Sequence, residues 1–294
     1  MKGLIYNIEK YTTQSGPGFR TVVYMKGSTL NTPWKEHPEA EHNDVEMLFD
    51  KEKCNFCYKC VKACNERLIA EEEDRVFECT KCGKCVEACP RGARKLIGEY
   101  VSVDELIDRI MPEMEYYKAS GGGVTFAGGE PLMQNEFLLE VVKKLKEKDV
   151  NVAIFTSGFV DYKIFEKFIP YTDYFIYDLK LINSDIHKKY TNEDNELIIE
   201  NLKKISFSMS KVIVMVTFIS EVNCNMDELK LIVSFLSKLE LEGIYVKGYN
   251  AGSCEMYRLL GKEQTVKFHA PNKKTIINIS NLFKRICDNV KILQ

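Results

Sequence analysis

The 294-residue sequence lacks several features that would place it in a specialised class of protein. It has no excess of basic residues, because its formal net charge at pH 7 is −2, and no nucleic-acid partner is expected. It has no run of about 18 apolar residues, the length that a membrane helix needs. Its first residues, MKGLIYNIEKY, become charged too early for a signal peptide. We therefore expect a cytoplasmic protein with no membrane partner.

One absence is local and concerns cysteine. The chain has eleven cysteines, yet residues 25–42, MKGSTLNTPWKEHPEAEH, contain none. This stretch follows a predicted strand over residues 20–26 and holds the only tryptophan, Trp34. In a reducing compartment, cysteines indicate metal ligands or redox groups before disulfides. Eight of the eleven lie between Cys54 and Cys89, so a metal-binding block is predicted immediately after the cysteine-free stretch.

Strands and helices alternate about six times after Val101, and the strands are almost entirely apolar. Such strands are typical of a parallel sheet that helices cover on its faces. The pattern predicts an α/β fold, a (β/α) barrel or partial barrel that falls short of eight repeats. Active sites of these folds lie at the carboxyl ends of the strands. The corresponding segments are MKGSTLN, AGGEP, TSGF, DLK, the Met215–Ser220 region and GYNAGSC.

The eight clustered cysteines form two copies of the spacing C-x2-C-x2-C-x3-C. This is the bacterial ferredoxin run, in which three close cysteines hold one 4Fe-4S cluster and the fourth binds the other. One cluster is assigned to Cys54, Cys57, Cys60 and Cys89, and the second to Cys64, Cys79, Cys82 and Cys85. We predict a ferredoxin-like domain over residues 47–97, inserted into a barrel formed by residues 1–46 and 98–294.

Structural zinc is the alternative for these cysteines. Zinc sites usually pair two C-x2-C knuckles across a longer gap and do not need a doubled four-cysteine run, so the spacing favours iron–sulfur clusters. Paired clusters in a small domain usually transfer single electrons, and a minority only staple the structure. Lysines close in sequence, including Lys59, Lys62, Lys81 and Lys84, could offset the negative charge of the clusters.

The motifs occur in a characteristic order along almost the whole chain. They are SGPGFRTVVYMKG, the two ferredoxin motifs, GGGVTFAGGEPLMQ, YDLKLINSDIHKKYT and GYNAGSCEMYRLLG. This order resembles the glycyl-radical-enzyme activating enzymes of the radical S-adenosylmethionine superfamily, in the branch with a ferredoxin insert. The resemblance implies a partial (β/α)6 barrel.

The resemblance also implies a third 4Fe-4S cluster, held by a C-x3-C-x2-C loop after the first barrel strand. The fourth iron of that cluster binds the amino and carboxylate groups of S-adenosylmethionine. One electron cleaves this cofactor, and the deoxyadenosyl radical that results takes a hydrogen atom from a glycine of a partner enzyme.

The cysteine-free stretch departs from that family pattern. Aligned on Trp34, Pro38 and Glu39 without a gap, it places Ser28, Thr32 and Lys35 where the family has its three cluster cysteines. A serine oxygen can occasionally ligate iron and threonine does so less readily, while a lysine ammonium has no free lone pair at neutral pH. No three-thiolate cluster is therefore expected in this loop.

Other positions that face the cofactor in the family have also changed. The resemblance places Met215 where the family has an arginine that contacts the cofactor's carboxylate, and Asn250 where it has a histidine. Five residues are retained as a vestigial S-adenosylmethionine site, for which poor cofactor binding is expected: Gly128, Gly129 and Glu130 of GGEP, with Asp178 and Lys180 of DLK. A structural role, in a strand-end turn or an ion pair, is the alternative for each. Cys254 lies near the expected site face, where a lone cysteine is usually inert.

Three functions remain open at this point. The first is a pseudo-activase, an iron–sulfur protein that transfers electrons, or binds and regulates a glycyl-radical enzyme or its activase, without generating a radical. The second is an active S-adenosylmethionine-dependent activase with an atypical site. The third is an oxygen-sensing or structural iron–sulfur protein. An electron donor such as flavodoxin or ferredoxin is expected as a further partner.

Overall fold

A computed structural model describes residues 1–65, 79–250, 254–263 and 266–293. Its strands are β1 (Lys2–Thr12), β2 (Arg20–Met25), β3 (Glu46–Phe49), β4 (Arg94–Ile97), β5 (Glu99–Ser102), β6 (Gly123–Gly128), β7 (Asn151–Thr156), β8 (Tyr174–Asp178), β9 (Lys211–Phe218), β10 (Gly243–Gly248) and β11 (Val290–Leu293). Its α-helices are α1 (Lys59–Ala63), α2 (Lys84–Glu87), α3 (Val103–Ile110), α4 (Met114–Ser120), α5 (Asn135–Glu147), α6 (Tyr162–Phe168), α7 (Ser184–Thr191), α8 (Glu196–Ser206), α9 (Met226–Leu236), α10 (Cys254–Leu259) and α11 (Lys273–Phe283). None of the helices in these ranges is long and apolar enough to span a membrane.

Nine of the strands form one mixed sheet in the order β11-β10-β9-β8-β7-β6-β2-β1-β5. Neighbours from β2 to β11 are parallel, whereas β1 is antiparallel to both β2 and β5. The parallel strands predicted from the alternating pattern are thus confirmed, in an α/β fold that is consistent with a partial barrel.

The carboxyl end of the described chain carries one helix and one strand. Residues 272–290, NKKTIINISNLFKRICDNV, have helical spacing throughout, but α11 ends at Phe283 and β11 begins at Val290. β11 joins the open edge of the sheet, where Ile244 of β10 pairs with Val290. Backbone pairing at that edge outweighs the helical pattern of the sequence, and β11 extends the parallel part of the sheet.

The parallel strands are buried on both faces. On β9, Val212, Val214 and Val216 belong to the large core beneath the helices, while Ile213 and Met215 belong to a smaller cluster on the inner face. This alternation follows from the two-residue period of a strand. It explains why the strands read as continuous apolar runs, as predicted.

The amino ends of the parallel strands are closed by a buried guanidinium. Arg20 at the start of β2 donates from Nε to Thr125 Oγ1 at 2.6 Å and from Nη1 to Asn151 Oδ1 at 3.0 Å. Burial lowers the pKa of Arg20 to about 10, against the opposing charge of Asp173. These contacts tie β2, β6 and β7 together at the end opposite the site.

The cysteine motifs lie between the two strands of a small separate sheet. β3 pairs antiparallel with β4, with Glu46 opposite Ile97. The short helices α1 and α2 contain the third cysteine of each motif, Cys60 and Cys85, and they contact each other. Pro112 is the second residue of a 3-10 turn, Met111–Glu113, which separates α3 from α4.

Candidate functional site

A cavity of about 520 Å³ opens at the carboxyl ends of the parallel strands. Segments that follow five parallel strands, β2, β6, β7, β8 and β9, line it together with Lys247 near the end of β10, as the fold predicts for a site. The residues that line it include Ser28, Thr32, Lys35, Glu41, Gly128, Gly129, Ser157, Asp178, Lys180, Met215 and Lys247.

The loop after β2 is fixed by backbone pairing and by one aromatic anchor. Gly27 N donates to Ala40 O at 2.8 Å, and Ser28 N donates to Glu41 O at 3.1 Å, so the loop returns on itself. Trp34 is 7% exposed, and its ring lies 5.2 Å from that of Tyr190. The backbone and the tryptophan together hold the cysteine-free stretch against the cavity.

The three positions aligned with cluster cysteines all line the cavity. Ser28 Oγ donates to Leu30 O at 2.9 Å, so its hydroxyl group is hydrogen-bonded to the backbone of the same loop. Thr32 is buried. Lys35 Nζ donates to Asn31 Oδ1 at 2.9 Å and to Glu41 Oε1 at 2.5 Å. A paired cation thus stands at the third ligand position.

Lys35 begins a chain of alternating charges that the sequence pattern did not reveal. Glu41 also accepts from Lys262 Nζ at 3.2 Å, and Lys262 lies 3.6 Å from Glu46. Glu46 in turn accepts from the buried Lys26 at 2.8 Å. The chain links the loop to β3 and to the residues after α10. Its members are far apart in sequence, so only the folded chain brings them together.

The pKa values of Lys35 and Glu41 reflect both their burial and their closeness to charged neighbours. Burial lowers the pKa of Lys35, although its contact with Glu41 opposes the shift. Burial also opposes ionisation of Glu41, but hydrogen bonds and charge from Lys35 and Lys262 outweigh it and lower the pKa of that carboxyl. Glu41 is therefore ionised at neutral pH and holds a positive charge beside the cavity.

The two glycines of GGEP line the cavity, and neither position has room for a side chain. A Cβ on Gly129 would lie 1.9 Å from Gly27 O, in the backbone of the loop. Gly128 has φ +111°, and its Cβ would lie 2.5 Å from Met25 O. The glycines therefore let the β6 turn press against the start of the 26–41 loop.

Glu130 is fully buried and is absent from the cavity lining. Its carboxylate accepts from Thr156 Oγ1 at 2.9 Å, from Ser157 N at 2.9 Å and from Ser157 Oγ at 2.7 Å. Burial raises its pKa, while these hydrogen bonds oppose the shift. In this structure the carboxylate joins the GGEP turn to the end of β7.

Asp178 and Lys180, the other retained residues, face the cavity and form an ion pair with each other. Met215 is almost buried and lies beside them in the lining. A second ion pair, which sequence reasoning missed, joins Lys247 at the end of β10 to Glu36. Each of the three lysines in the lining is therefore matched by a carboxylate.

The two cysteine motifs have the same local backbone. In both, the second residue after the first cysteine has a positive φ, +55° at Phe56 and +56° at Lys81. In both, the N–H of that residue points to the cysteine sulfur, at 3.4 Å. Hydrogen bonds to cysteine sulfur are one means by which a protein tunes a cluster. This repeat supports one shared ligand role for the two motifs.

The thiols of Cys85 and Cys89 have pKa values that their surroundings shift in opposite directions. Burial raises the pKa of Cys85, Arg94 opposes this, and Cys79 and Cys64 raise it further, so these three thiols are neighbours. At Cys89, hydrogen bonds from backbone N–H groups of residues 91–94 outweigh burial and lower the pKa, and Ala93 N lies 3.2 Å from the sulfur.

The donors therefore suit thiolate ligation of a cluster. Within the described ranges, no three His, Cys, Asp or Glu residues converge as ligands of one metal ion. A 4Fe-4S cluster binds one thiolate at each of its four irons, so its ligands lie farther apart than those of a single metal ion. Cys254 begins α10, but its side chain lies outside the described part of the structure.

The sequence model of the Radical SAM superfamily matches residues 51–230. The trans-4-hydroxy-L-proline dehydratase activating enzyme of Clostridioides difficile is 32% identical over 99% of this chain and 99% of its own length. The chain belongs to the glycyl-radical-enzyme activating enzymes of the radical SAM superfamily.

Other comparisons agree with this family. The choline trimethylamine-lyase activating enzyme of Oleidesulfovibrio alaskensis is 34% identical over 90% of this chain and 89% of its own. A domain of the pyruvate-formate lyase-activating enzyme from Bacteroides vulgatus has a similar fold, with a TM-score of 0.50 and 22% identity over 59% of this chain and 99% of that domain.

The residues of the loop after β2 do not fit the 4Fe-4S cluster that the family resemblance implies there. None of the positions Ser28, Thr32 and Lys35 carries a thiol. The sulfurs of the motifs Cys54–Cys64 and Cys79–Cys89 lie between β3 and β4 in the sequence, outside this loop. The matched superfamily segment begins at residue 51, after this loop.

Proposed function

We propose that this member of the activating-enzyme family is a pseudo-activase, which holds two ferredoxin-type 4Fe-4S clusters and does not cleave S-adenosylmethionine. The observation that carries the proposal is the ion pair of Lys35 with Glu41 at the third ligand position of the loop. An ammonium group cannot coordinate iron, and its counter-charge is already supplied within the protein.

The proposal assigns the two clusters to a ferredoxin-like insert, residues 47–97, in a partial (β/α)6 barrel of residues 1–46 and 98–294. Cys54, Cys57, Cys60 and Cys89 would hold one cluster, and Cys64, Cys79, Cys82 and Cys85 the other. The equal backbone of the two motifs and the neighbouring thiols of Cys64 and Cys85 support this assignment. Clusters of this kind supply one-electron transfer when bound.

The proposed role is electron transfer, or binding and regulation of a glycyl-radical enzyme or its activase, in the cytoplasm. The names of the relatives support a glycyl-radical enzyme as partner. Gly128, Gly129, Glu130, Asp178 and Lys180 would be the remains of an S-adenosylmethionine site. These residues are present while the loop lacks cluster ligands, which supports a protein that retains the family fold but has a role other than S-adenosylmethionine cleavage.

An active activase with an atypical site is the alternative that the names of the relatives favour. It would require a cluster held by ligands other than Ser28, Thr32 and Lys35. An oxygen-sensing or structural role remains the third interpretation. It predicts clusters that a cellular electron donor cannot reduce.

Restoring the cysteines tests the loop directly. The variant S28C/T32C/K35C should gain about four irons over the wild-type protein after anaerobic reconstitution, because backbone and Trp34 still hold the loop in place. Ser28→Ala should leave unchanged both the iron content and the proposed electron transfer by the two clusters. A marked loss of function in Ser28→Ala would contradict the proposal, since it would show that the serine oxygen has a role.

A further inference from the structure

The two cysteine motifs differ at the residues on either side of their second cysteine, which is Cys57 in the first motif and Cys82 in the second. The fourth residue after the first cysteine has a positive φ in both motifs, +57° at Tyr58 and +78° at Gly83. Gly83 adopts this conformation without cost, whereas a bulky side chain there is a conformational outlier. Phe56 is a second aromatic residue with a positive φ, where the other motif has Lys81.

Packing does not account for these aromatic residues. Phe56 is 66% exposed and Tyr58 is 42% exposed, so neither ring contributes much to a core. An outlying backbone conformation that packing does not offset is commonly associated with a functional surface. The second motif serves as an internal control, because it builds the same backbone without an aromatic side chain.

Two exposed lysines follow these rings in the sequence. Cys57, between the two rings, is exposed, and so are Lys59 and Lys62 on α1. In the described part of the chain neither lysine has an ion-pair partner. Exposed aromatic rings framed by lysines are suited to contact an acidic protein surface, and charge complementarity of this kind raises association rates.

We propose that Phe56 and Tyr58, with Lys59 and Lys62, form the docking surface for an acidic one-electron carrier protein, which exchanges its electron at the cluster that Cys57 helps to hold. This rests on the proposed function, which supplies that cluster. With a flavin carrier, one electron leaves the anionic hydroquinone, which becomes the neutral semiquinone. The cluster core gains that electron and changes from 2+ to 1+, and no proton is transferred.

The test compares wild type with the double variant F56N/Y58G. Glycine reproduces the residue of the second motif, and asparagine tolerates a positive φ, so the variant should fold with an unchanged or higher Tm. Reduced flavodoxin, mixed anaerobically with the cluster-loaded protein, should reduce the variant at least about tenfold more slowly. Binding of oxidised flavodoxin should weaken in parallel. Higher ionic strength should slow the wild-type reaction.

Two controls make the result specific. Phe207→Ala removes a ring that is 60% exposed beyond α8, and it should leave the flavodoxin rate unchanged. Dithionite, which needs no docking surface, should reduce wild type and double variant equally fast. An unchanged flavodoxin rate in the double variant with normal iron content would overturn the docking site alone. Wild-type protein without iron would contradict the proposed function itself.

Discussion

Lys35 Nζ lies 2.5 Å from Glu41 Oε1, and the lysine stands at the position of the third cluster cysteine of the family. The Lys35 side chain is only 9% exposed and that of Glu41 is 26% exposed. The loop therefore holds an internal salt bridge where the family resemblance would place a cluster cysteine. The pair stabilises the loop only while both partners remain charged.

Glu41→Gln should destabilise the protein, because it leaves the largely buried Lys35 ammonium without its counter-charge. We expect a loss of about 2 kcal/mol in the free energy of unfolding, measured with urea. The matched control is Glu242→Gln, which breaks the exposed pair with Lys211. An exposed pair contributes about 0–1 kcal/mol, so equal effects of the two substitutions would contradict the account.

Glu41 should also make stability depend on pH. Its pKa is lowered in the folded protein, so below the ordinary value of 4.5 the unfolded chain takes up the proton first. Its stabilising contribution is complete above that pH and is lost as the pH falls toward the lower folded pKa. The difference in thermal stability between wild type and Glu41→Gln should therefore be constant above about pH 5 and shrink as the pH falls below 4.5. A difference that does not shrink there would contradict this assignment.

Gly129→Ala should severely impair folding, because its methyl group would collide with Gly27 O in rigid backbone. A cost above about 3 kcal/mol, or loss of expression, is expected. Gly248→Ala is the matched control at another strand end, where a methyl group would meet Ile276 at an ordinary 3.8 Å. Comparable stability of the two variants would show that the GGEP turn does not press on the loop.

Cys57→Ala and Cys82→Ala should each remove one cluster, a loss of about four irons per chain. The thermal stability of the β3–β4 unit should fall with either cluster, because ligation and folding are coupled there. Cys224→Ala is the control. Burial raises the pKa of the Cys224 thiol to about 11, and its iron content should equal that of wild type. Iron loss in that control would contradict the ligand assignment.

Much of the fold is encoded in local patterns that can be read from the sequence. The runs that became β6–β10 are apolar on both faces, and this pattern identified the parallel strands. The short strands β3, β4, β5 and β11 were not predicted, because four residues carry little periodic signal. Pairing with distant segments determines them, as when Glu46 meets Ile97.

The site was predictable where it follows strand ends and not where it depends on distant charges. Trp34 fixed the alignment that placed Ser28, Thr32 and Lys35 in the cavity. Nothing in the sequence indicated that Glu41 would pair with Lys35 and Lys262, since the latter comes from beyond α10. The carboxylate of Glu130 was assigned to the vestigial cofactor site, and the structure shows it bonded to Thr156 and Ser157.

The iron content after anaerobic reconstitution, measured together with deoxyadenosine formation, tests the central claim most directly. The reconstituted wild-type protein is reduced in the presence of S-adenosylmethionine, and the products are separated. Two ferredoxin-type clusters predict about eight irons per chain and no deoxyadenosine. About twelve irons per chain with deoxyadenosine formed on reduction would contradict the account.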